Sequence, residues 1–267
     1  MSGTIPPHEF VRLQMVATGR SRADLLVDST LDPAERARLD GLVARRRAGE
    51  PLQYLEGQVP FGPIEVRVDR RALIPRPETE QLWEAAVAAM GEAGPGTPVV
   101  DLGTGSGVLA LALKHAFPAA PVYATDLSAE ALDLARENAA ANGLEVVFLH
   151  GDLFAPLPPG LRERVELIVA NPPYLSEAEW GQLPTEIRLH EPREALVAGP
   201  RGTEVLARIA DEARWWLGIG GWVLCEIGEA QSEEVLGSFG DYEREVRPDL
   251  TGRPRFLVAR KGAPCCR

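Results

Sequence analysis

The sequence predicts an α/β protein in which a mostly parallel sheet follows a smaller helical region. From Pro98 onward, short apolar runs alternate with segments of helical periodicity, a pattern typical of parallel strands joined by crossover helices. Glycine-rich or polar residues directly follow several of these runs, as expected where strands end. The last two strand-like runs, 242–247 and 255–259, are joined by residues 248–254, which leave no room for a crossover helix. We therefore expect one antiparallel hairpin at the end of the sheet.

The N-terminal part of the chain predicts short amphipathic helices between residues 8 and 48. Phe10 and Leu13 lie at helical spacing, and Ser21 can cap a helix that begins at the next residue. Asp32 is followed by a proline at the first position of a further helix. This region therefore predicts a small helical module, to which the sequence assigns no chemistry.

A hairpin is expected between the helical module and the sheet. Ile64, Val66 and Val68 alternate with charged residues in the stretch from Gly57 to Pro75, which indicates two short strands. We interpret this stretch as a connector between two domains. A helix is expected to follow it, because proline and acidic residues are typical of a first helical turn.

Five strands and four helices are expected in the region that follows. The predicted strands are 99–102, 122–125, 146–149, 165–170 and 222–227. The predicted helices are 108–116, 129–141, 203–217 and 230–238.

Composition bounds the class of protein. A chain of 267 residues with 45% hydrophobic residues suits one large domain or one domain with a small additional one. It has no apolar run near ~20 residues and no basic-apolar leader, so we expect a cytoplasmic protein with no membrane span. Cys225, Cys265 and Cys266 form neither a disulfide framework nor a zinc-binding spacing, and we expect no metal site.

Charge is distributed unevenly along the chain. Residues 1–75 contain 11 arginines and 10 acidic residues (net +1), whereas residues 76–267 contain 17 basic and 29 acidic residues (net −12). An acidic region is a poor partner for nucleic-acid phosphates, which usually require a basic face. We therefore expect no stable nucleic-acid binding, and a basic protein is a plausible partner.

A glycine-rich loop, Gly103-Thr104-Gly105-Ser106-Gly107, lies between a predicted strand and a predicted helix. Glycine lets a ligand approach the backbone closely, and the helix N-terminus favours anionic groups. Asp126 ends the next strand and is placed to bind a ribose diol. These features fit S-adenosylmethionine as well as a nicotinamide cofactor. The loop lacks the third glycine of the dinucleotide pattern, which favours the methyl donor.

A second loop, Asn171-Pro172-Pro173-Tyr174, follows the buried strand 165–170. Neither proline has a backbone N–H, so the loop presents mainly carbonyl oxygens, together with the side-chain oxygen of Asn171. Two acceptors beside the aromatic face of Tyr174 suit a planar group that carries an NH₂. An adenine, a cytosine and a carboxamide all meet this description.

Both loops are expected to line one crevice. In an open parallel sheet, ligands bind beyond the carboxyl ends of the strands, and the glycine loop, Asp126, Asp152 and Asn171 all follow strand ends. A sulfonium donor is already activated, so the main task is to align the acceptor nitrogen with the methyl group. Hydrogen bonds to the Asn171 side-chain oxygen and the Pro172 carbonyl would hold that nitrogen.

The chain resembles the peptide chain release factor glutamine methyltransferases, the HemK/PrmC family, over nearly its whole length. The resemblance is carried by Gly49-Glu50-Pro51 to Tyr54, Leu73-Ile74-Pro75-Arg76-Pro77-Glu78-Thr79-Glu80, Asp101 to Gly107, Asn171 to Tyr174 and His190-Glu191-Pro192-Arg193-Glu194-Ala195-Leu196. The Asn-Pro-Pro-Tyr motif is shared with nucleic-acid amino-methyltransferases. The segments that begin at Leu73 and His190 are more specific when they occur together.

The resemblance implies a helical N-terminal substrate-recognition domain (1–56), a β-hairpin linker (57–76) and a Rossmann-like, seven-stranded class I methyltransferase domain (77–267). It implies methyl transfer from S-adenosylmethionine to the glutamine of the Gly-Gly-Gln motif in class I release factors. Gly103, Thr104, Gly105, Ser106, Gly107 and Asp126 would bind the donor, with Asp152 and Leu153 at the adenine. Asn171, Pro172, Pro173 and Tyr174 would hold the glutamine, and Asn171, Pro172 and Tyr174 would be catalytic.

Two positions depart from the family pattern or lack an assigned role. Leu153 stands where the family often has an aromatic residue, so stacking on the adenine is not expected from that side chain. His190 fits either a role in fixing the loop after Tyr174 or a substrate contact.

Three other functions compete with this interpretation. An adenine-specific nucleic-acid amino-methyltransferase would share both loops, but it should have a basic groove. A binding module without activity would keep the donor loop as a relic. A nicotinamide reductase would need a hydride-transfer acid, and no candidate accompanies the glycines.

Overall fold

The computed structural model describes residues 4–263 and begins with four short helices. These are α1 (Pro7–Thr18), α2 (Arg22–Val27), α3 (Pro33–Arg47) and α4 (Leu52–Glu56). They enclose a small core of their own, formed mainly by Leu13, Ala17, Leu39, Leu52 and Leu55. The predicted helix starts are confirmed, because Ser21 caps α2 and Asp32 caps α3, each through a reciprocal capping box.

The predicted hairpin consists of β1 (Gln58–Phe61) and β2 (Ile64–Arg67). Two asparagine side chains, one turn apart on helix α7 (Ala129–Asn142), form hydrogen bonds with strand β2. Asn138 accepts a hydrogen bond from Arg67 N at 2.7 Å and donates to Arg67 O at 3.1 Å. Asn142 makes the same pair of bonds with the backbone of Glu65. The side-chain amides thus take the place of a neighbouring strand and attach the hairpin to the rest of the chain.

A seven-stranded sheet forms the centre of the remaining chain, as the resemblance implied. In spatial order its strands are β10 (Glu243–Pro248), β11 (Pro254–Arg260), β9 (Leu217–Glu226), β6 (Val165–Ala170), β3 (Val99–Leu102), β4 (Val122–Asp126) and β5 (Val147–His150). The strands from β9 to β5 are parallel to one another. The predicted antiparallel hairpin is confirmed, because β11 pairs antiparallel with both β9 and β10.

Helices cover both faces of the sheet. On one face lie α5 (Pro77–Met90), α6 (Val108–Ala116) and α7; on the other lie α10 (Glu204–Trp216) and α11 (Ser232–Ser238). Alternate strand residues point into two separate cores, so that Val99 packs on one face and Val100 on the other. This two-sided burial explains why the strands are continuous apolar runs.

Two regions differ from the predictions. Strand β9 begins at Leu217 rather than at residue 222, because Leu217 already pairs with Val165 before an irregularity in the ladder. Residues 175–199, hereafter the flap, contain elements that were not predicted. They are β7 (Leu175–Ser176), α8 (Glu177–Trp180), α9 (Thr185–His190), a 3-10 turn (Arg193–Ala195) and β8 (Val197–Gly199). Each flap element is too short to produce a recognisable hydrophobic period.

Cys225 is fully buried in β9, at the end of the apolar run that begins at Trp222. The expectations about Cys265 and Cys266 lie outside the described residues. Within residues 4–263, no helix is both long enough and apolar enough to cross a membrane.

The hairpin attachment predicts unequal effects for two asparagine substitutions. Asn138 is fully buried and also donates to Ser106 O at 2.9 Å, whereas Asn142 is partly exposed. Asn138→Ala should lower the free energy of unfolding by about 2–3 kcal/mol, because several backbone groups lose their partners away from water. Asn142→Ala should cost less than about 1 kcal/mol, because water can replace its bonds. Urea unfolding measures both, and equal effects would contradict the proposed attachment.

Candidate active site

The register of the parallel strands brings three loops to one point. Leu102 of β3 lies opposite Ala170 of β6 and opposite Thr125 of β4. The residues that come next along the three chains, Gly103, Asn171 and Asp126, therefore lie side by side, and Asp126 is the last residue of β4. Strand order reverses between β3 and β6, because the chain runs outward in both directions from this pair. This is the position at which open parallel sheets bind ligands.

A cavity of about 900 Å³ opens at this point. It is bordered by most of the site residues expected from the sequence: Gly103, Thr104, Gly105, Ser106, Asp126, Asp152, Leu153, Asn171, Pro172 and Pro173. Gly107 and Tyr174 do not border it. The structure therefore gathers the glycine loop and the Asn-Pro-Pro loop around a single space.

The glycine loop is held by its neighbour strand and by Asp126. The backbone N–H groups of Gly103 and Thr104 both donate to Thr125 O, and the N–H of Gly105 donates to an Asp126 side-chain oxygen at 2.8 Å. Gly103 and Gly105 have positive φ angles, which glycine adopts without strain. The loop backbone is thereby fixed in an open turn at the cavity wall.

Gly107 is a packing residue at the N-terminus of α6. Its φ is +88°, and a Cβ atom there would lie 3.1 Å from the Cβ of Ala135 in α7. Gly107, the last glycine of the glycine-rich loop, thus allows α6 and α7 to approach closely. Its expected part in donor binding stays a prediction.

Asp126 both shapes the loop and borders the cavity. One of its oxygens accepts from Gly105 N, and the other accepts from Ser128 N at 2.9 Å. Burial raises the pKa of Asp126, while hydrogen bonds from backbone N–H groups act in the opposite direction. Each oxygen keeps a further lone pair, so the carboxylate can accept additional hydrogen bonds from a ligand.

Asp101 is a buried carboxyl group at the cavity that the sequence analysis did not single out. One of its oxygens accepts from the Thr104 hydroxyl at 2.6 Å and from Ala110 N at 3.1 Å. The other oxygen is buried and has no protein partner among the described residues. Burial raises the pKa of Asp101 to about 7, although both hydrogen bonds lower it. A positively charged ligand in the cavity would favour its ionised form.

Asn171 is bonded to a buried polar network beneath the cavity. Its amide nitrogen donates to the Thr79 hydroxyl oxygen at 3.0 Å, and Thr79 in turn donates to Glu226 at 3.0 Å. Tyr174 donates its hydroxyl to the other Glu226 oxygen at 3.1 Å. The ring of Tyr174 therefore lies beside the network, with the guanidinium of Arg255 5.9 Å above it. Its expected stacking on the acceptor group stays a prediction.

The flap is held over the cavity by an ion pair. Arg76 contacts both carboxylate oxygens of Glu191, at 2.6 and 2.8 Å, and the N–H of Ile74 also donates to this carboxylate. The Glu191 side chain is only 2% exposed. The residues that follow it, Pro192, Glu194 and Ala195, border the cavity. The ion pair thus joins the two most specific family motifs and places part of the cavity wall.

His190 lies at the outer side of this ion pair. Its ring nitrogen is 3.0 Å from the guanidinium of Arg70, a residue of the connector. Of its two expected roles, this contact supports fixing the flap. Among the described residues that border the cavity, His190 is not included.

The far end of the cavity contains Asp152, Leu153 and Arg208. Asp152 pairs with Arg208 of α10 at 2.7 Å, and both side chains are about half exposed. Leu153 has a positive φ of 44°, an unusual conformation for a residue with a β-carbon. Asp152 and Leu153 follow the end of β5, in the part of the cavity where the adenine was expected.

Comparisons with known proteins agree with this arrangement. A family model described as "Methyltransferase small domain" matches residues 86–214, and one described as "PrmC N-terminal domain" matches residues 5–57. A release factor glutamine methyltransferase of Deinococcus radiodurans is 44% identical over 86% of this chain and 82% of its own length. The corresponding protein of Mycolicibacterium smegmatis is 40% identical over 91% of both chains.

A solved structure shows the same fold. The ribosomal protein L11 methylase of Lactobacillus delbrueckii is 23% identical and superposes with a TM-score of 0.53, covering 70% of this chain and 81% of its own. The fold and the cavity at the sheet switch point thus define a methyltransferase. The chain belongs to the family of release factor glutamine methyltransferases.

Besides Asp101, sequence reasoning missed the roles of four residues at the site. Arg76 and Glu191 lay within motifs already recognised, so their pairing could have been proposed. Thr79 resembled an ordinary first-turn residue of a helix, and Glu226 resembled the end of a strand. Their side chains meet only in the folded chain, across 147 positions.

The Arg76–Glu191 pair predicts an asymmetric loss of stability. Arg76→Ala should lower the free energy of unfolding by about 3 kcal/mol, because it leaves the Glu191 carboxylate buried and unpaired. The double variant Arg76→Met/Glu191→Leu should cost less, because it removes both charges. Urea unfolding of each variant provides the measurement.

An exposed ion pair supplies the control for this prediction. Arg136 and Asp133 pair at 2.8 Å on the surface of α7, with side chains 49% and 64% exposed. Arg136→Ala should change the free energy of unfolding by less than about 1 kcal/mol. A loss no larger in Arg76→Ala than in Arg136→Ala would contradict the role assigned to the buried pair.

Proposed function

We propose that this chain transfers a methyl group from S-adenosylmethionine to the side-chain amide nitrogen of the glutamine in the Gly-Gly-Gln motif of class I release factors. One observation carries the proposal. The side-chain oxygen of Asn171 has no protein partner among the described residues, and it lies at the same cavity as the glycine loop. An acceptor for an NH₂ group therefore adjoins a site suited to a nucleoside. The curated relatives carry the corresponding name.

The donor would lie along the carboxyl ends of β3, β4 and β5. Gly103 to Ser106 would contact its amino acid part, Asp126 would accept from the ribose hydroxyls, and Asp152 and Leu153 would border the adenine. Asp101, whose second oxygen is buried and has no protein partner among the described residues, borders the cavity in which the cationic part would bind. Five acidic residues and three arginines border the cavity, so acidic groups are in the majority and favour a positively charged donor there.

The acceptor would lie against the Asn-Pro-Pro loop. An amide nitrogen is a weak nucleophile because its lone pair is delocalised into the carbonyl. Asn171 Oδ1 and the Pro172 carbonyl would each accept one N–H, which fixes the nitrogen and increases its electron density. The sulfonium donor would supply an activated methyl group: as the N–C bond forms, the S–C bonding electrons would stay on sulfur to give S-adenosylhomocysteine, and the nitrogen would then lose one proton to solvent. No metal is required for this step.

The domain division supports a role for the helices in substrate recognition. We assign residues 1–56 to this role, 57–76 to the linker and 77–267 to catalysis. Arg46 of α3 pairs with Glu186 of the flap at 2.9 Å, so the helical module contacts the segment that borders the cavity. A protein docked on these helices would thus lie next to the acceptor loop. Release factors act in translation, which is consistent with a cytoplasmic location.

One observation also favours a second function. The acceptors of Asn171 and Pro172 fit the amino group of an adenine as well as that of a glutamine. The net charge of −12 in residues 76–267 argues against stable nucleic-acid binding. Tight retention on heparin at low salt, with methylation of DNA or RNA, would favour this alternative.

Transfer of label tests the proposed function directly. The protein is incubated with methyl-labelled S-adenosylmethionine and a purified class I release factor, beside a release factor whose Gly-Gly-Gln glutamine is replaced by alanine. We expect label on the first protein and none on the second. Label on neither, or equal label on both, would contradict the proposal.

Substitution of the acceptor residue should separate catalysis from donor binding. Asn171→Ala should lower kcat by roughly 100-fold, because it removes one of the two groups that align the amide. The dissociation constant of S-adenosylmethionine, measured by calorimetry, should stay within about threefold. Asn142→Ala, on the surface of α7, serves as the control. A rate within a few-fold of the parent protein would contradict the role of Asn171.

Protonation of Asp101 is expected to make the affinity for the donor depend on pH. Its pKa of about 7 without ligand means that the carboxyl group is largely protonated at pH 6, and a cationic donor must displace that proton. Affinity should therefore rise from pH 6 to pH 7.5, by at most about tenfold per pH unit.

Asp126 and His150 also border the cavity. Calorimetry of Asp101→Asn therefore shows how much of the pH dependence of donor affinity comes from Asp101. The variant should bind the donor more weakly at pH 7.5 and should show a smaller rise with pH. An unchanged slope would exclude Asp101 as its source.

A further inference from the structure

A buried network beneath the cavity determines which atom of Asn171 faces the substrate. Thr79, the third residue of α5, and Glu226, the last residue of β9, are each only 2% exposed. Thr79 contacts both Asn171 and Glu226 at 3.0 Å. The three side chains therefore form one continuous line of hydrogen bonds from the core to the cavity.

The direction of each hydrogen bond follows from the chemistry of the groups. Glu226 accepts at both of its oxygens, from the hydroxyls of Thr79 and Tyr174, so the single hydroxyl proton of Thr79 is directed to Glu226. The Thr79 oxygen can then only accept from Asn171, and the amide nitrogen is the only Asn171 side-chain atom that can donate. The nitrogen consequently faces the core, and Oδ1 faces the cavity.

Two neighbours hold the Glu226 carboxylate in place. Tyr174 donates its hydroxyl to the oxygen that Thr79 does not use, at 3.1 Å. Arg255 lies close enough to favour the charged form, whereas Glu78 disfavours it. Burial raises the pKa of Glu226, and the hydrogen bonds from Thr79 and Tyr174 lower it. The direction of the hydrogen bonds from Asn171 to Glu226 thus depends on a carboxyl group that is held from both sides.

We propose that Thr79 and Glu226 are positioning residues that fix the orientation of the Asn171 amide and thereby make its oxygen the acceptor for the substrate NH₂. This inference rests on the proposed function. It adds a requirement that the Asn-Pro-Pro-Tyr loop cannot meet alone, because an unrestrained asparagine could present its NH₂ group and repel the substrate. It also gives Tyr174 a task beneath the cavity, as a second anchor of Glu226.

Paired substitutions at Thr79 test the hydroxyl. Thr79→Val keeps the shape of the side chain but removes its hydrogen bonds, and it should lower kcat at least about tenfold. Thr79→Ser keeps the hydroxyl and should remain within about threefold of the parent protein. Donor affinity should stay unchanged in both, because Thr79 acts on the acceptor side. Equal rates for the valine and serine variants would overturn the inference.

A double-substitution cycle tests the direction of the hydrogen bonds between Asn171, Thr79 and Glu226. In Asn171→Asp, a carboxylate oxygen faces the Thr79 oxygen, whose proton is already directed to Glu226, so the rate should fall strongly. In Glu226→Gln, the new amide can donate to the Thr79 oxygen, so the Thr79 hydroxyl is free to donate its proton to the carboxylate at position 171. Asn171→Asp should therefore cost at least about fivefold less in the Glu226→Gln background than alone.

Additive losses in this cycle would overturn the inference, because a purely structural role gives no reason for one substitution to relieve the other. The double variant also keeps the net charge of the buried group. A favourable interaction between the two substitutions therefore reports the direction of the hydrogen bonds.

A measurement without substrate separates this inference from the proposed function. The Asn171 side-chain NH₂ gives a ¹H–¹⁵N signal that is identified by its absence in Asn171→Asp. It should be protected from solvent exchange in the parent protein and in Thr79→Ser, and unprotected in Thr79→Val. If the parent protein methylates no release factor, the proposed function fails, and this signal still decides the orientation. Unchanged protection in Thr79→Val would overturn the inference.

Discussion

The parallel register of β3 with its two neighbours is the constraint on which the site depends. Leu102 lies opposite both Ala170 and Thr125, so the glycine loop and the Asn-Pro-Pro loop leave the sheet at the level of Asp126, the last residue of β4. A shift of one residue in either pairing would reverse the faces of a strand and separate these loops. The alternating apolar residues that fill the two cores hold this register. The energy of core packing is thereby linked directly to the geometry of the cavity.

Buried polar groups then fix the positions of the flap and of the Asn171 side chain relative to the sheet. The Arg76–Glu191 pair attaches the flap, and the line from Glu226 through Thr79 orients Asn171. Both are built on a glutamate that is almost completely buried, where an unpaired polar group is costly. The cavity is therefore supported from above and from below. Arg76, Glu191 and Glu226 do not border the cavity, so substitutions of these residues are expected to act on the site without touching a ligand.

Much of the fold could be predicted because its elements are locally determined. Continuous apolar strands, capped helices and the short linker between β10 and β11 each have a clear local pattern, and the glycine and Asn-Pro-Pro loops end their strands. The flap could not be predicted, because elements of two to six residues are stabilised by partners far away in the chain. Asp101 and Glu226 also escaped prediction, since an acidic residue in a strand shows its burial and its partners only after folding.

The central claim is that one cavity places the donor and the glutamine for direct methyl transfer. It is tested most directly by a crystal structure with S-adenosylhomocysteine and a Gly-Gly-Gln peptide bound together. We expect the glutamine nitrogen within about 3.2 Å of both Asn171 Oδ1 and the Pro172 carbonyl oxygen. The same nitrogen should face the sulfur, with room for one methyl group between them. A glutamine bound outside the cavity, or facing the Asn171 nitrogen, would contradict the account.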